Sequence, residues 1–221
     1  MRPVNQNHPP KNRVTEMNTD RFLSIPAEEY HAASRCGRYM SNHNLAAFRE
    51  SPELYRRKTS GEIVSPKDYG FIVKLQKSVW LHTAVSALLD EGVSKATVRA
   101  EYCGVPCQTH MDWFSEKHGL VELKTCDSLR WFDGDAKRFG YAFQMAFYRA
   151  VLREATGETV AVHLIVVEKN EPFSTGVWEL SDDVLDQAEK VNEAALARYR
   201  KCLQTGEWPT GYEETKVITS L

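Results

Sequence analysis

The segment between residues 105 and 148 constrains the fold of this chain most, because two strand-like runs are followed at once by a helical pattern. The first run carries Asp112 in the sequence MDWF, and the second, LVELKT, carries Glu122 and Lys124. Side chains alternate between the two faces of a strand, so Glu122 and Lys124 share one face and their apolar neighbours point to the other. The pattern predicts a half-buried strand with an acid and a lysine side by side.

Charges on a half-buried strand are costly unless they are paired or hold a cation, since unpaired charges lose their hydration. Mg²⁺ prefers one or two carboxylates together with waters and phosphate oxygens, and Asp112 and Glu122 could supply those carboxylates. Lys124 would then face the attacking water. The pattern indicates metal-assisted phosphodiester hydrolysis with Mg²⁺, for which Mn²⁺ is the expected substitute. On spacing alone, an ordinary surface pair worth roughly 0 to 1 kcal/mol stays open.

The same segment resembles a known group of nucleases. Residues 105–148 are similar to the core of the PD-(D/E)XK superfamily, specifically the RecE-type (exonuclease VIII) branch of phage and prophage recombination exonucleases. The stretches IPAEEYHA and MSNHNLAAFRESPELYRRK resemble the opening of that branch, and LQTGEWP resembles its closing stretch. The likeness covers most of residues 23–210. It implies that Asp112 and Glu122 are metal ligands and that Lys124 is the catalytic lysine.

A helix predicted from about Asp135 to Glu154 completes the implied site. Gln144 and Tyr148 match the Gln-x-x-x-Tyr motif of the branch, and four residues apart they share one helix face. Tyr141, one turn earlier, joins that face. The resemblance implies that Gln144 belongs to the catalytic set, and we expect both tyrosines to lie against DNA.

Several residues after the Glu122 strand are expected to reach DNA near the metal. Arg130, Lys137 and Arg138 suit phosphate contacts. Trp131 lies in a predicted loop, where an apolar wedge could split a duplex end, although aromatic residues are more often part of a core.

One family feature is missing from the sequence. The branch normally has a Leu-Gly-x-Ala-x-His helix, whose histidine helps bind metal, and no such motif is present. His82, in a helix predicted over residues 66–91, is a candidate replacement, although a structural role is open for it. Without a replacement, the second metal site of the family would not form.

A zinc site is a rival interpretation. It would use four residues close together in the chain: Cys103, Cys107, His110 and His118. Their spacing is irregular, and alternation along a strand places Cys107 and His110 on opposite faces, which weighs against zinc. The five cysteines stand in a chain without a secretion signal, so reduced thiols are expected.

Length and composition favour one globular domain. The 221 residues, of which 42% are hydrophobic, suit a single nuclease domain over residues 20–221 after a mobile amino-terminal extension over residues 1–19. Without an apolar stretch near 18 residues or a signal peptide, we expect a cytoplasmic protein with no membrane contact, in the bacterial host if a phage encodes it. The net charge of −2 does not indicate nucleic-acid binding, but residues 49–58 hold a basic cluster.

Hydrophobic periodicity and turn residues predict the order of elements. That order is an extended lead at 24–30, helices at 41–55 and 66–91, strands at 96–102, 105–114 and 120–125, a helix at 135–154, strands at 160–168 and 176–180, and a helix at 182–204. Such an order predicts an α/β fold with a central mixed β-sheet flanked by helices, the restriction-endonuclease-like PD-(D/E)XK core.

The leading functional hypothesis is a Mg²⁺-dependent exonuclease on the ends of linear double-stranded DNA. The resemblance implies 5′ to 3′ degradation, a 3′ single strand for annealing-type recombination, a single-strand annealing protein as partner, and a homo-oligomeric ring of three or four subunits. Two alternatives stay open. One is an endonuclease or single-strand nuclease on the same core, and the other is a non-catalytic DNA-binding relative.

Overall fold

A five-stranded mixed β-sheet with helices on both faces forms the centre of this protein in a computed structural model, which describes residue 29 and residues 66–217. The α/β fold predicted from the sequence is confirmed. The helix predicted at 41–55, the basic cluster at 49–58 and nearly all of the lead at 24–30 lie outside the described residues. No helix within the described part is long and apolar enough to cross a membrane.

The described elements follow one another in a simple order. In chain order they are α1 Pro66–Leu81, α2 Thr83–Leu88, β1 Val93–Tyr102, β2 Val105–Ser115, β3 Gly119–Cys126, a short 3-10 helix Leu129–Trp131, α3 Phe132–Arg138, α4 Tyr141–Thr156, β4 Val162–Glu168, β5 Thr175–Glu179 and α5 Asp182–Thr205.

The strands lie in the sheet in the same order as in the chain. The pairs β1–β2, β2–β3 and β4–β5 are antiparallel, whereas β3 and β4 are parallel. A parallel pair needs a long crossover connection, and α3 and α4 lie in it. Helix α4 packs over β1 and β2 and against α5. The crossover therefore carries α4 across one face of the sheet.

A two-residue turn joins β1 to β2. Both of its residues have positive φ, 52° at Cys103 and 71° at Gly104, and Tyr102 pairs with Val105 across it. Turns with two positive φ values match the twist of a hairpin, and glycine adopts them readily. The turn predicted near Gly104 is confirmed, and it sets the register of the whole hairpin.

Two long helices predicted from the sequence are each divided in the structure. The helix expected over 66–91 breaks at His82, which is extended (φ −84°, ψ 119°), so α1 ends before it and α2 follows. The helix expected over 135–154 breaks at Gly140, whose φ is 69°, between α3 and α4. Glycine adopts a positive φ without steric cost, and apolar spacing continues on both sides of the break, so periodicity did not reveal it.

Each face of the sheet has its own hydrophobic core. The larger core joins the sheet to α4 and α5, and the smaller joins it to α1 and α2. Val121 and Ile165 belong to the smaller core. Because Glu122 is the next residue in the strand, its side chain lies on the α4 face.

Candidate active site

Asp112 and Glu122 meet across the β2–β3 ladder. The ladder pairs Trp113 with Val121. Because the strands are antiparallel, Asp112 on β2 then lies opposite Glu122 on β3. The backbone N–H of Asp112 donates to Glu122 Oε2 at 3.4 Å, and the N–H of Leu123 donates to Asp112 Oδ2 at 3.0 Å. The antiparallel pairing therefore brings the two carboxylates together from residues ten apart in the chain.

Lys124 and helix α4 close a hydrogen-bonded network around Glu122. Lys124 Nζ donates to Glu122 Oε1 at 3.0 Å and to Gln144 Oε1 at 2.7 Å. Gln144 Nε2 donates to Glu122 Oε1 at 2.9 Å and to the Tyr148 hydroxyl at 3.2 Å. Each of the three side chains thus fixes the other two. The structure brings together the predicted catalytic set of Asp112, Glu122, Lys124 and Gln144.

Burial makes the charge on Glu122 expensive. Its side chain is 8% exposed and that of Lys124 is 14% exposed. Burial raises the pKa of Glu122, Lys124 opposes that shift, and the neighbouring charge of Asp112 adds to it. A buried carboxylate beside a second carboxylate is a donor set that fits a hard divalent cation such as Mg²⁺, whose charge would favour the ionised form.

Glu122→Gln is expected to remove a pH dependence from the stability of the metal-free protein, although it also removes a predicted metal ligand. The pKa of Glu122 is raised by burial in the folded state. Its contribution to stability is therefore complete below the unfolded-chain pKa of about 4.3 and is lost as the pH rises through the folded-state pKa. Glutamine does not titrate, so the midpoint of thermal unfolding in EDTA should rise relative to wild type with increasing pH. A difference between the two proteins that is independent of pH would contradict this.

A row of contacting aromatic rings extends from Lys124 to the surface. Lys124 Nζ lies 4.9 Å from the centre of the Tyr141 ring. That ring stacks on buried Phe132 and on Phe139, both at 5.9 Å and 29°. Phe139 is 59% exposed, and the Arg138 guanidinium lies 5.4 Å from its ring centre. The expectation that aromatic residues here belong to the core is wrong for Phe139, which lies at the exposed end of α3, just before Gly140.

The other predicted DNA contacts flank α3. Trp131 is 65% exposed and carries the Arg130 guanidinium 5.1 Å from its ring centre. It ends the 3-10 helix, so the prediction that it lies in a loop was wrong, because a helical turn begins at Leu129, shortly after β3. Lys137 and Arg138 form the last turn of α3. A role of these residues in DNA binding stays a prediction.

The structure does not bring His82 to the two carboxylates. His82 lies between α1 and α2, whose buried residues pack against Val121 on the sheet face opposite Glu122. Over residues 66–217, no group of three or more His, Cys, Asp or Glu side chains is placed to hold a metal. The proposal of His82 as a third ligand therefore gains no support from the structure.

The same finding bears on the rival zinc site. Within the described residues, the two cysteines and two histidines do not form a metal-binding group. His110 Nδ1 instead lies 2.9 Å from Thr97 Oγ1. Burial raises the pKa of the Cys107 thiol to about 12, which disfavours the thiolate that zinc requires. The zinc interpretation is not supported.

Lys95 is a site residue that sequence analysis missed. Its Nζ lies 2.5 Å from Asp112 Oδ1. The predicted hairpin turn at Gly104 could have identified Lys95 as a site residue, because a two-residue turn there places Lys95 opposite Asp112. The predicted strand started one residue too late to include it.

Comparison with known proteins assigns the chain to a family. Residues 16–220 match the model of a family described as a PDDEXK-like domain of unknown function (DUF3799). Among solved structures, the chain is similar to a protein from Eubacterium rectale that is provisionally assigned as an exonuclease, with 15% identity, a TM-score of 0.69, and coverage of 90% of this chain and 97% of that one. No protein of curated function gives a significant match.

Two more solved structures are similar at a lower level. One is a phage-related exonuclease from Haemophilus somnus 129PT, with 11% identity, a TM-score of 0.42, and coverage of 86% of this chain and 94% of that one. The other is an alkaline exonuclease from Laribacter hongkongensis, with 14% identity, a TM-score of 0.42, and coverage of 81% and 95%. The likeness to the E. rectale protein is the one that bears on the fold.

Proposed function

Because the chain belongs to the PDDEXK-like domain family that its residues 16–220 match, we propose that it is a Mg²⁺-dependent exonuclease that hydrolyses linear double-stranded DNA. The observation that carries the proposal is the closed network of Glu122, Lys124 and Gln144 beside Asp112. A purely structural ion pair needs no second carboxylate beside it. Two adjacent carboxylates followed by a fixed ammonium are what metal-assisted attack on a phosphodiester requires.

The residues of the site have distinct roles in this proposal. Asp112 and Glu122 hold the divalent ion, which supplies charge stabilisation at the scissile phosphate. Lys124 orients the attacking water and favours its deprotonated form, because its ammonium is a fixed positive charge. Gln144 holds that ammonium from the α4 side, and the face of the Tyr141 ring holds it from below through a cation–π contact.

Gln144 is itself held in one orientation. Its Nε2 donates to Glu122 Oε1 and to the Tyr148 hydroxyl, which leaves Oε1 directed at Lys124. An amide turned by 180° would present a donor to the ammonium and lose that bond. Tyr148, which is buried in the larger core, is therefore proposed to fix the amide, and its burial gives no support to the expectation that it lies against DNA.

The strands of DNA would approach over α3 and the start of α4. Arg130, Lys137 and Arg138 are proposed to contact phosphates, which gives affinity that is independent of sequence and sensitive to salt. Trp131, exposed before α3, is proposed to wedge into a duplex end, and Tyr141 lies between these residues and Lys124.

The finer features of the proposal come from the family resemblance. Degradation from 5′ to 3′ would leave a 3′ single strand for a single-strand annealing protein in the cytoplasm. A ring of three or four subunits around DNA would keep the enzyme bound between cleavages. Light scattering would measure the ring directly, and a strict monomer at working concentration would contradict it.

End-labelled linear duplex, incubated beside a closed circular plasmid, tests the proposed activity. With Mg²⁺, we expect loss of the linear DNA with early release of the 5′ label, an intact circle, and no reaction in EDTA. Cutting of the circle would identify an endonuclease, and digestion of single strands alone would identify a single-strand nuclease. DNA binding without cleavage under any divalent ion would identify a non-catalytic relative.

A further inference from the structure

Lys95 lies directly opposite Asp112 in the β1–β2 hairpin. The ladder pairs Ser94 with Trp113 and Ala96 with Met111, so the register places Lys95 opposite Asp112. Lys95 has φ 54°, a left-handed conformation that residues other than glycine rarely adopt and that costs on the order of 1 kcal/mol. Such a conformation persists where neighbouring contacts hold it, and here Lys95 Nζ lies 2.5 Å from Asp112 Oδ1.

The other carboxylate oxygens of the site have donors that cannot leave easily. Asp112 Oδ2 and Glu122 Oε2 accept backbone N–H groups, from Leu123 and from Asp112, within the paired strands. Glu122 Oε1 accepts from Lys124 and Gln144, which also bond to each other. Losing any of these donors would open the strand pairing or the buried network.

The remaining oxygen, Asp112 Oδ1, accepts from Lys95, whose side chain is exposed and can move away. The side chain of Lys95 is 64% exposed, whereas that of Lys124 is 14% exposed. Lysine is flexible and strongly hydrated, so its ammonium can turn into water at little cost. Asp112 Oδ1, on a side chain that is 29% exposed, is therefore the oxygen that an incoming cation can reach once Lys95 has moved.

We propose that the Lys95 ammonium occupies the cation position at Asp112 and that a divalent metal ion must displace it to bind. Lys95 is thus a positioning residue that keeps Asp112 in place without metal and weakens metal affinity. This inference rests on the proposed function, since it takes Asp112 as a metal ligand. It also gives the strained residue a role, because a shorter or uncharged side chain would leave Asp112 without a cation in the metal-free protein.

Mn²⁺ binding to the whole protein without DNA, followed by electron paramagnetic resonance, tests the proposal independently of activity. Lys95→Gln should bind Mn²⁺ roughly two- to fivefold more tightly than wild type, the range for removing a partly exposed ion pair. Lys95→Arg, which keeps the charge, should remain near wild type. Lys117→Gln is the matched control, because it removes an exposed lysine charge from the turn after β2 and should leave the affinity unchanged.

The outcomes separate this inference from the proposed function. Wild-type binding that Asp112→Asn abolishes, together with equal affinities for Lys95→Gln and wild type, would overturn the role of Lys95 alone. Absence of Mn²⁺ binding in wild type would overturn both. The Lys95 ¹⁵Nζ resonance of the wild-type protein gives a second measurement that needs no variant. We expect it to shift when Mg²⁺ saturates the site, and an unchanged resonance would overturn the displacement.

Discussion

Lys124→Ala is expected to slow Mg²⁺-dependent digestion of linear DNA by roughly 10²- to 10³-fold, the usual cost of removing a fixed charged donor from a reacting centre. In wild type, Lys124 Nζ is held by Glu122 and Gln144 at 3.0 and 2.7 Å, so it needs no rearrangement during the reaction. Alanine leaves the attacking water without that charge. The rate should be measured with DNA in excess and at saturating Mg²⁺.

Two controls give that result its meaning. Lys169→Ala removes a lysine whose partner, Asp127, lies at the surface, and should digest DNA at the wild-type rate. Circular dichroism should show that Lys124→Ala keeps the fold, since Gln144 Nε2 still bonds to Glu122. A folded Lys124→Ala protein that cleaves as fast as wild type would show that the site is wrongly assigned.

Arg149→Ala is expected to lower the free energy of unfolding by about 3 to 5 kcal/mol, the cost of breaking a buried ion cluster by removing one partner. Arg149 lies on α4, its side chain is 2% exposed, and it bonds to Asp182 at 2.8 Å and to Asp186 at 2.5 Å on α5. Glu189, 10% exposed, lies 3.8 Å from the same guanidinium. The change therefore leaves a buried carboxylate with less compensation and opens the contact between two helices.

Urea denaturation measures this effect, and Asp182→Ala is the matched control from the same cluster. The Asp182 side chain is 85% exposed, so its loss should change the free energy of unfolding by only about 0 to 1 kcal/mol. If Arg149→Ala were no less stable than Asp182→Ala, the cluster would not be what fixes α4. Because α4 also carries Gln144, a loosened helix should weaken the support of Lys124 as well.

Much of the fold and site could be predicted because strand patterns repeat every two residues. The alternation in LVELKT placed Glu122 and Lys124 on one face, and the turn at Gly104 set the hairpin that contains Asp112. Four-residue spacing on a helix placed Gln144 beside Tyr148, where the structure finds a 3.2 Å hydrogen bond. These features depend on local geometry, which the sequence determines directly.

The features that the sequence did not predict share a physical cause. A single irregular residue in the backbone leaves the hydrophobic periodicity on either side of it unchanged. Gly140 interrupts a helix whose apolar spacing continues, and His82 does the same in the preceding helix pair. In β2, Met111 and Phe114 both enter the α4-side core although they are three positions apart, an odd number, so the alternation of faces is interrupted beside Asp112. This interruption lies opposite Lys95, whose backbone is left-handed. Hydrophobic periodicity does not reveal the contact with Asp112 that stabilises this conformation.

The central claim is that Asp112, Glu122 and Lys124 form one metal-dependent hydrolytic centre for DNA. The most direct measurement compares digestion of linear duplex by wild type and by Asp112→Asn across a Mg²⁺ titration. We predict digestion by wild type that saturates with Mg²⁺ and stops in EDTA, and a variant that is nearly inactive and needs far more Mg²⁺ for its residual rate. Digestion that persists in EDTA, or an Asp112→Asn protein with the wild-type rate and Mg²⁺ dependence, would contradict the claim.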